Sequence, residues 1–543
     1  MSPLLFLIFI NDLVEELPKG VECSLFADDA ALYCSHTSLE EAQRLLQEAV
    51  TVVERWSVKN KLDLNLTKSC TFFFSSATRD ASWRPDITLH GEKMPFGVGP
   101  KELNPQFLGV TLDRSLCFAD HVENVCKRVG DRCKMLACLA SRSWGWKKHS
   151  LRRVFTSTQR SIMDYAASAW QPWLSSSQME KLERTQNKCL RLITGQYSNS
   201  DLDAVRLEAG VPSYQTHSNQ LIATAYEKGL RMPTDHPRRT ALVTDKEVIH
   251  RHNLRSSCRE RGKSIVESLP IKDAERKPKD INITKPWSTR APNWKVTTNQ
   301  DIKNDIPAIK VAIEDLNSPV VIYTDGSCTD GTTDGGAAAV VTVGSAEEPE
   351  CVKVCQAKGN QNTCSYMEEW RALELGINWV EEHPQAKTAF CTDSLSLLQA
   401  IDNLNPETDE IRTRVEGLQG SVDLMYVPGH KDVPGNELAD KYAKEAAKLP
   451  GPYASEGLSF SAAKSCINRL VRDEPSSHRI ISKTYADVSE KIDRQHIKSR
   501  KHGALIAQLR TGHHKNLNYY KNFIDKDVSA FCERCNQEKI DTV

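Results

Sequence analysis

The sequence carries no net charge and no hydrophobic run long enough to cross a membrane. Its 543 residues include 71 Lys and Arg and 71 Asp and Glu. The apolar stretch Ser2–Ile10 has no basic segment before it and is shorter than the ~20 residues that a membrane span requires. We therefore expect a buried helix at Ser2–Ile10. From the chain length we expect about three or four domains. We also expect an intracellular location, in the nucleus or the cytoplasm, and no membrane partner.

The 17 cysteines lack the paired spacing of a disulfide framework, so we expect reduced thiols. One exception is Cys532-Glu-Arg-Cys535 in the tail. A lone C-x-x-C is half of a zinc site, which His513 or His514 would have to complete. We keep Cys532 and Cys535 as candidate zinc ligands, while favouring a tail without zinc.

The balanced total charge hides segments of opposite character. Residues 101–200 hold 16 basic and 8 acidic side chains, and residues 236–305 hold 16 and 9. Residues 317–450 hold 10 basic and 22 acidic side chains. The basic segments fit contact with a phosphate backbone, although ordinary solvated charges are an equal alternative. The acidic segment should bind nucleic acid weakly by itself.

Within the acidic segment, residues 320–327 (VVIYTDGS) predict a buried strand that ends in an Asp-Gly turn. A buried carboxylate at Asp325 is unfavourable unless a cation compensates its charge. Three more acids stand in suitable places: Glu369 on an amphipathic helix, Asp393 after another strand, and Asp440 in a Gly-Asn-Glu-Leu-Ala-Asp stretch. Four carboxylates that meet at one point predict a two-cation, phosphodiester-cleaving site. The alternative is four separate solvated acids.

The apolar pattern of residues 317–450 predicts a sheet that begins with an antiparallel hairpin and continues with strands alternating with helices. The fold class is therefore a multidomain α/β and α+β chain, whose best-defined part is a mixed five-stranded sheet with helices on its faces. The predicted strands are 319–324, 337–343, about 351–357, 387–392 and 422–427, and the predicted helices are 365–382, 394–403 and 437–447.

Four motifs of this segment, in order, resemble those of ribonuclease H: Tyr-Thr-Asp325-Gly-Ser, Glu368-Glu369-Trp-Arg-Ala-Leu, Cys-Thr-Asp393-Ser, and Val-Pro-Gly-His430 followed by Gly-Asn-Glu-Leu-Ala-Asp440. In the family, the helix glutamate stands three residues before the alanine. That spacing selects Glu369 rather than Glu368.

The resemblance implies an enzyme that cleaves the RNA strand of RNA–DNA hybrids with two Mg²⁺ or Mn²⁺ ions as cofactors. Carboxylate oxygens suit these hard cations. Asp325 would bridge the two ions, Glu369 and Asp393 would hold one side, and Asp440 would hold the other. His430 would move a proton or loosen the product. The residues expected to contact the substrate are Gly326, Ser327 and Asn436.

The N-terminal region resembles the reverse transcriptase of non-LTR, LINE-type retrotransposons. The matching stretches are SPLLFLIFINDL, the FADD turn, LNLTK at 64–68 and FLGVTLD at 107–113. By that likeness, Asp28 and Asp29 are polymerase metal ligands. A third ligand of the family lies on an earlier strand that has no counterpart here. We therefore expect a vestigial polymerase metal site and no template copying by this chain alone.

Together these observations predict a fragment of a retrotransposon polyprotein that acts as a metal-dependent endonuclease on RNA–DNA hybrids. The alternatives are a non-catalytic nucleic-acid-binding remnant and an RNA-directed DNA polymerase completed by another chain. The expected oligomeric state is open. The predicted domains are a partial palm (1–117), a helical thumb-like region (118–232), a basic linker (233–316), a ribonuclease H domain (317–450), and a connection with a truncated Cys-containing tail (451–543).

The thumb-like region is the expected nucleic-acid contact outside the acidic domain. Its helices place basic residues between apolar positions, and Lys147, Lys148, Arg152 and Arg153 would track a duplex. The alternative for these four residues is the solvated face of an ordinary helix bundle.

Overall fold

In the computed structural model, the described residues are 2–99, 101–243, 257–277, 293–302, 304–450, 452–453, 457–472, 499–511, 514 and 529. They fall into two units. Unit 1 comprises Met1–Gln215, His252–Arg255 and Ser476–Val543, and unit 2 comprises Thr216–Arg251 and Ser256–Pro475. Among the described residues, no helix combines the length and the apolar character that crossing a membrane requires.

The helices and strands are numbered in chain order. The helices are α1 (Ser2–Ile10), α2 (Leu39–Asn60), α3 (Ala119–Leu139), α4 (Lys148–Val154), α5 (Ser161–Asp164), α6 (Ala167–Trp170), α7 (Ser176–Thr194), α8 (Leu202–Ala209), α9 (Tyr214–Leu230), α10 (Pro237–Val243), α11 (Cys258–Glu267), α12 (Ile306–Glu314), α13 (Ser365–Glu382), α14 (Leu395–Asp402), α15 (Asp409–Gly417), α16 (Pro434–Ala447), α17 (Phe460–Arg472) and α18 (Arg500–Arg510). The strands are β1 (Val21–Phe26), β2 (Asp29–Cys34), β3 (Thr88–Leu89), β4 (Glu92–Lys93), β5 (Gln106–Phe107), β6 (Val110–Thr111), β7 (Trp294–Thr297), β8 (Val321–Thr329), β9 (Thr333–Gly344), β10 (Pro349–Lys358), β11 (Lys387–Thr392) and β12 (Ser421–Tyr426).

The start of unit 1 contains the predicted hairpin and the predicted apolar helix, but that helix is not buried. Strands β1 and β2 pair in an antiparallel hairpin whose tip is Ala27-Asp28. In α1, Ile10 is buried, whereas Leu5 and Ile8 are 60% and 66% exposed. The prediction of a buried helix was wrong because every position of α1 is apolar or small. The sequence therefore gives no sign of which face contacts Trp56 and the rest of the unit.

The helical half of unit 1 is built on the two long helices α3 and α7, whose apolar residues follow the predicted helical period. Helix α7 begins with a capping box in which Ser175 and Gln178 satisfy each other's backbone N–H groups. Both helices bury one face in a shared core, which also takes in the buried rings of Phe155 and Trp170. The positions predicted by periodicity are all buried: Val122, Val125, Val129, Cys133 and Leu136 in α3, and Leu182, Gln186, Cys189, Leu190 and Ile193 in α7.

Helix α18, from the tail, completes this helical half. The buried guanidinium of Arg500 donates hydrogen bonds to the carbonyl oxygens of Leu192 and Ile193 at the end of α7, at 2.6 and 2.5 Å. Its Nε donates to the Ser141 oxygen at 2.8 Å. Burial lowers the pKa of Arg500 to about 10, so it stays protonated near neutral pH. A tail helix with these contacts is part of the fold of unit 1.

Unit 2 is organised around a six-stranded mixed sheet in the order β10-β9-β8-β11-β12-β7. The first three strands form an antiparallel meander, and β11, β12 and β7 run parallel to β8. The core lies on both faces of the sheet. One face packs against α13, α14 and α15, and the other packs against α12 and α16. The mixed sheet with helices on its faces is confirmed, and α15 is a helix that the apolar pattern did not reveal.

The sixth strand and one core helix come from the segment predicted as a linker, residues 233–316. Strand β7 pairs with β12 through Trp294 opposite Val422 and Thr297 opposite Met425. Helix α12 buries Ile309 and Ile313 against the sheet. The prediction of a basic linker at 233–316 did not include these two elements, because both are short and lie among charged residues. The strand that pairs with β7 stands more than 100 positions later in the sequence.

Candidate active site

Two of the predicted carboxylates stand side by side because of the sheet register. Strands β8 and β11 are adjacent and parallel, with Thr324 opposite Thr392. Asp325 and Asp393 each follow one position later, so they lie next to each other where β11 ends. The carboxyl ends of parallel strands are where open α/β sheets place their ligands.

Helix α13 brings the third carboxylate to the same place. It crosses β8 at Gly326, where an added Cβ would overlap the backbone of Glu368 and Glu369. The Gly326 N–H donates a hydrogen bond to the Glu369 carboxylate. The neighbouring Glu368 is buried elsewhere, where its carboxyl group accepts a 2.5 Å hydrogen bond from Thr363. Among the residues described, ligand atoms of Asp325, Glu369 and Asp393 lie within 4.8 Å of one another.

Asp440 and His430 border this three-carboxylate cluster. Asp440, on α16, lies near enough to raise the pKa values of Asp325 and Asp393 by repulsion. Its Oδ2 is 2.6 Å from Nζ of Lys444, one turn later, and 3.9 Å from Nδ1 of His430. The His430 side chain is 75% exposed on the loop before α16. The structure therefore gathers three of the four predicted acids tightly and holds the fourth beside a lysine.

The cluster is electrostatically strained without a cation. Burial, followed by repulsion from Asp393 and Asp440, raises the pKa of Asp325 to about 7. Burial and the charges of Asp325 and Asp393 raise the pKa of Glu369 well above its ordinary value. The pKa of Asp393 is raised chiefly by burial. A divalent cation among these oxygens would remove the repulsion, so the donor set fits a hard metal ion.

Two segments of the chain match known families. Residues 1–112 match the family described as reverse transcriptase (RNA-dependent DNA polymerase), and residues 317–448 match the family described as RNase H. The chain carries a reverse transcriptase segment followed by a ribonuclease H domain. The predicted family resemblance and the predicted enzyme class, ribonuclease H, are thereby confirmed.

Two of the relatives are described as RNA-directed DNA polymerases of mobile elements. The chain is 27% identical over 200 residues to the probable RNA-directed DNA polymerase from transposon BS of Drosophila melanogaster, covering 36% of this chain and 21% of that protein. It is 32% identical over 131 residues to the RNA-directed DNA polymerase from mobile element jockey of Drosophila funebris, covering 23% and 13%. The chain thus spans about a fifth or less of these two relatives.

Among solved structures, the chain is similar to RNase H1 from the halophilic archaeon Halobacterium salinarum. The identity is 18% and the TM-score 0.21, and the similarity covers 24% of this chain and 97% of that one.

Several side chains around the ribonuclease H carboxylates hold them in place. The Thr392 hydroxyl donates a 3.4 Å hydrogen bond to Oε2 of Glu369. The same hydroxyl oxygen accepts a hydrogen bond from the Ser394 N–H. Asn436, predicted to contact substrate, is buried and forms a side-chain hydrogen bond with Asp393. Thr392 and Lys444 were not among the site residues predicted from the sequence. The signal for Lys444 was present, because it follows Asp440 by four positions on a predicted helix.

Ser327 is the one predicted substrate contact that points from β8 on the same face as Asp325, since side chains two positions apart share a face. It is half-buried. Asp28 and Asp29 lie exposed at the tip of the β1–β2 hairpin in unit 1. Cys532 and Cys535, the candidate zinc ligands, lie outside the described residues. The roles predicted for all these residues stay predictions.

Proposed function

We propose that the ribonuclease H domain hydrolyses the RNA strand of RNA–DNA hybrids and depends on two Mg²⁺ or Mn²⁺ ions. The observation that carries this proposal is the cluster of Asp325, Glu369 and Asp393. These three carboxylates come from three separate elements and converge within 4.8 Å. Such a cluster is costly to bury, and it is suited to hard divalent cations and phosphodiester chemistry.

Four acids would hold the ions: Asp325, Glu369 and Asp393 in the cluster, and Asp440 beside it. When bound, the cations would supply an activated water and stabilise the negative charge that develops on the leaving oxygen. The remaining steps belong to the chain's own residues.

The protein groups orient the acids, recognise the substrate and move protons. The Gly326 N–H and the Thr392 hydroxyl fix the Glu369 carboxylate, and Asn436 fixes Asp393. Because the Gly326 N–H already has this partner, we assign recognition of the ribose 2′-OH to Ser327, which faces the same side as Asp325. His430, exposed beside Asp440, is placed to accept or deliver a proton at the open side of the site.

The test is cleavage of an end-labelled RNA–DNA hybrid by the full chain with Mg²⁺ or Mn²⁺. Asp325→Asn should abolish cleavage while leaving hybrid binding intact. Asp315→Asn, an exposed carboxylate ten positions earlier, is the matched control and should cleave like the parent. A folded parent chain that binds the hybrid and cleaves it with neither metal would overturn the proposal and favour a non-catalytic binding role.

A further inference from the structure

The connection between α3 and α4, residues 140–147, is a tight turn that displays two tryptophans. Its backbone is fixed by hydrogen bonds from the Ser141 N–H to the Trp144 oxygen and from the Trp146 N–H to the Leu139 oxygen, at 2.9 and 3.0 Å. Gly145 has φ +104°, and a Cβ there would overlap the backbone of Leu139. These contacts define the path of the backbone through the turn.

Both indoles face solvent. Trp144 is 56% exposed and Trp146 is 51% exposed. Of the tryptophans in the described parts of the chain, these are the two whose side chains are mostly open to water. Exposing two large aromatic rings on one short turn is unfavourable in a protein that has no use for them, because each ring loses the burial that a core position would give it.

The charged residues before and after the turn in the sequence are all basic. Between Asp131 and Asp164 there is no acidic residue. The basic residues of that stretch are Arg132, Lys134, Arg142, Lys147, Lys148, Arg152, Arg153 and Arg160. A stretch of this composition attracts polyanions and repels other basic surfaces.

Not all these charges are available to a ligand. Lys148 forms a 2.6 Å ion pair with the buried Glu208, so its role is structural. Lys147 and Arg153 are exposed, and neither forms an ion pair with any residue that the structure describes. The Arg142 guanidinium lies 4.3 Å from the centre of the Tyr197 ring, beside the turn. Arg142 and Lys147 thus lie in the turn itself, and Arg153 lies on the helix that follows it.

The tail helix α18 is hydrogen-bonded to the turn. Arg500, at the start of α18, donates a hydrogen bond to the Ser141 oxygen at the base of the turn. The next two residues, Lys501 and His502, are exposed. The tail therefore both fixes the turn and adds basic groups next to it.

We propose that this turn binds single-stranded nucleic acid, with bases stacked on Trp144 and Trp146 and phosphates held by Arg142, Lys147 and Arg153. Stacking needs free base faces, which a duplex keeps inside its own stack, whereas single strands and overhangs offer them. Cations that alternate with aromatic rings match the alternation of phosphate and base along a strand. An anionic membrane surface also attracts cations and indoles, but this turn lacks the aliphatic face that insertion requires.

The test measures binding of fluorescent 20-nucleotide single-stranded RNA, single-stranded DNA and the matching duplexes by the full chain. EDTA is present, so that ribonuclease H cleavage does not contribute and the result is independent of the proposed function. Trp144→Ala and Trp146→Ala should each weaken single-strand binding about tenfold, and Trp144→Phe should restore most of it. Val58→Ala, which truncates an exposed apolar side chain on α2, is the matched control and should bind like the parent.

A second measurement uses charge. Lys147→Ala should lower the slope of log affinity against log salt by about one, because one phosphate contact is lost. Equal melting temperatures of the variants establish that the fold is unchanged. Tryptophan variants that bind single strands as tightly as the parent would overturn the proposal. So would a parent chain that prefers duplexes, or one that binds vesicles containing phosphatidylserine but not oligonucleotides.

Discussion

The stability of unit 2 should depend on pH in a direction set by Asp325. In the folded, metal-free chain the pKa of Asp325 is raised from 3.8 to about 7. Between these values the folded state binds a proton that the unfolded state has lost, so stability falls as pH rises and the loss is complete above about pH 7. At about 1.4 kcal/mol per pH unit, moving from pH 5 to pH 8 removes about 3 kcal/mol through this group. The raised pKa values of Glu369 and Asp393 act in the same direction.

The assay is hydrogen exchange, read by mass spectrometry, on peptides from β8 and β11 in the full chain with EDTA. Protection factors remove the intrinsic pH dependence of exchange and report the free energy of opening of this sheet alone. The parent should lose protection between pH 5 and pH 8, and Asp325→Asn should lose much less. Mg²⁺ at pH 8 should stabilise the parent and leave the variant unchanged.

Asp315→Asn, which removes an exposed carboxylate from the same unit, controls for net charge and should follow the parent at both pH values. The reasoning is refuted if the parent and Asp325→Asn show the same pH dependence. It is refuted equally if stability rises from pH 5 to pH 8, because that sign requires a carboxylate whose pKa is lowered by folding.

Three further outcomes follow from contacts in the structure. Gly326→Ala should lower the stability of unit 2 by about 1–3 kcal/mol in thermal unfolding, because its methyl group overlaps the backbone of α13. Gly417→Ala, where a Cβ meets nothing within 4 Å, should stay within about 1 kcal/mol of the parent. Lys444→Ala should lower the half-saturating Mg²⁺ concentration for cleavage, by less than about fivefold since the ion pair with Asp440 is partly exposed. Arg500→Ala should lower the melting temperature of unit 1. Its free energy of unfolding should fall by about 3–5 kcal/mol, because three hydrogen bonds to carbonyl oxygens are lost.

The sheet and the acid cluster were predictable because local patterns and motif spacing both point to them. The predicted helix 365–382 matches the bounds of α13, and the predicted strand 387–392 matches those of β11. The motif spacing selected Glu369, and the structure turns Glu369 toward Asp325 and Asp393 while Glu368 bonds to Thr363. Periodicity works here because these elements are long and have one apolar face.

What could not be predicted depends on partners that are distant in sequence. Strand β7 is four residues long in a basic segment, and only its pairing with β12 makes it a strand. Lys148 resembles its neighbour Lys147 in sequence, yet the structure pairs it with the buried Glu208, 60 positions later. For this reason a charge reversal of all four basic residues at 147–153 would disturb the fold as well as any nucleic-acid contact. The single changes at Trp144 and Lys147 are cleaner.

The docking of α18 on the end of α7 makes the first unit discontinuous in the chain, with unit 2 lying between its parts. During synthesis the helical half emerges first, but Arg500 and Gln508, which bond to the end of α7 and to Gly195, emerge about 300 residues later. At ~5–20 residues per second, that interval is about 15–60 s. Throughout it the carbonyl groups that α18 will satisfy remain open to solvent. The ribonuclease H sheet has all its strands once Tyr426 has been made, which is before Arg500 emerges. The nuclease unit is therefore expected to finish folding before the polymerase-derived unit that precedes it.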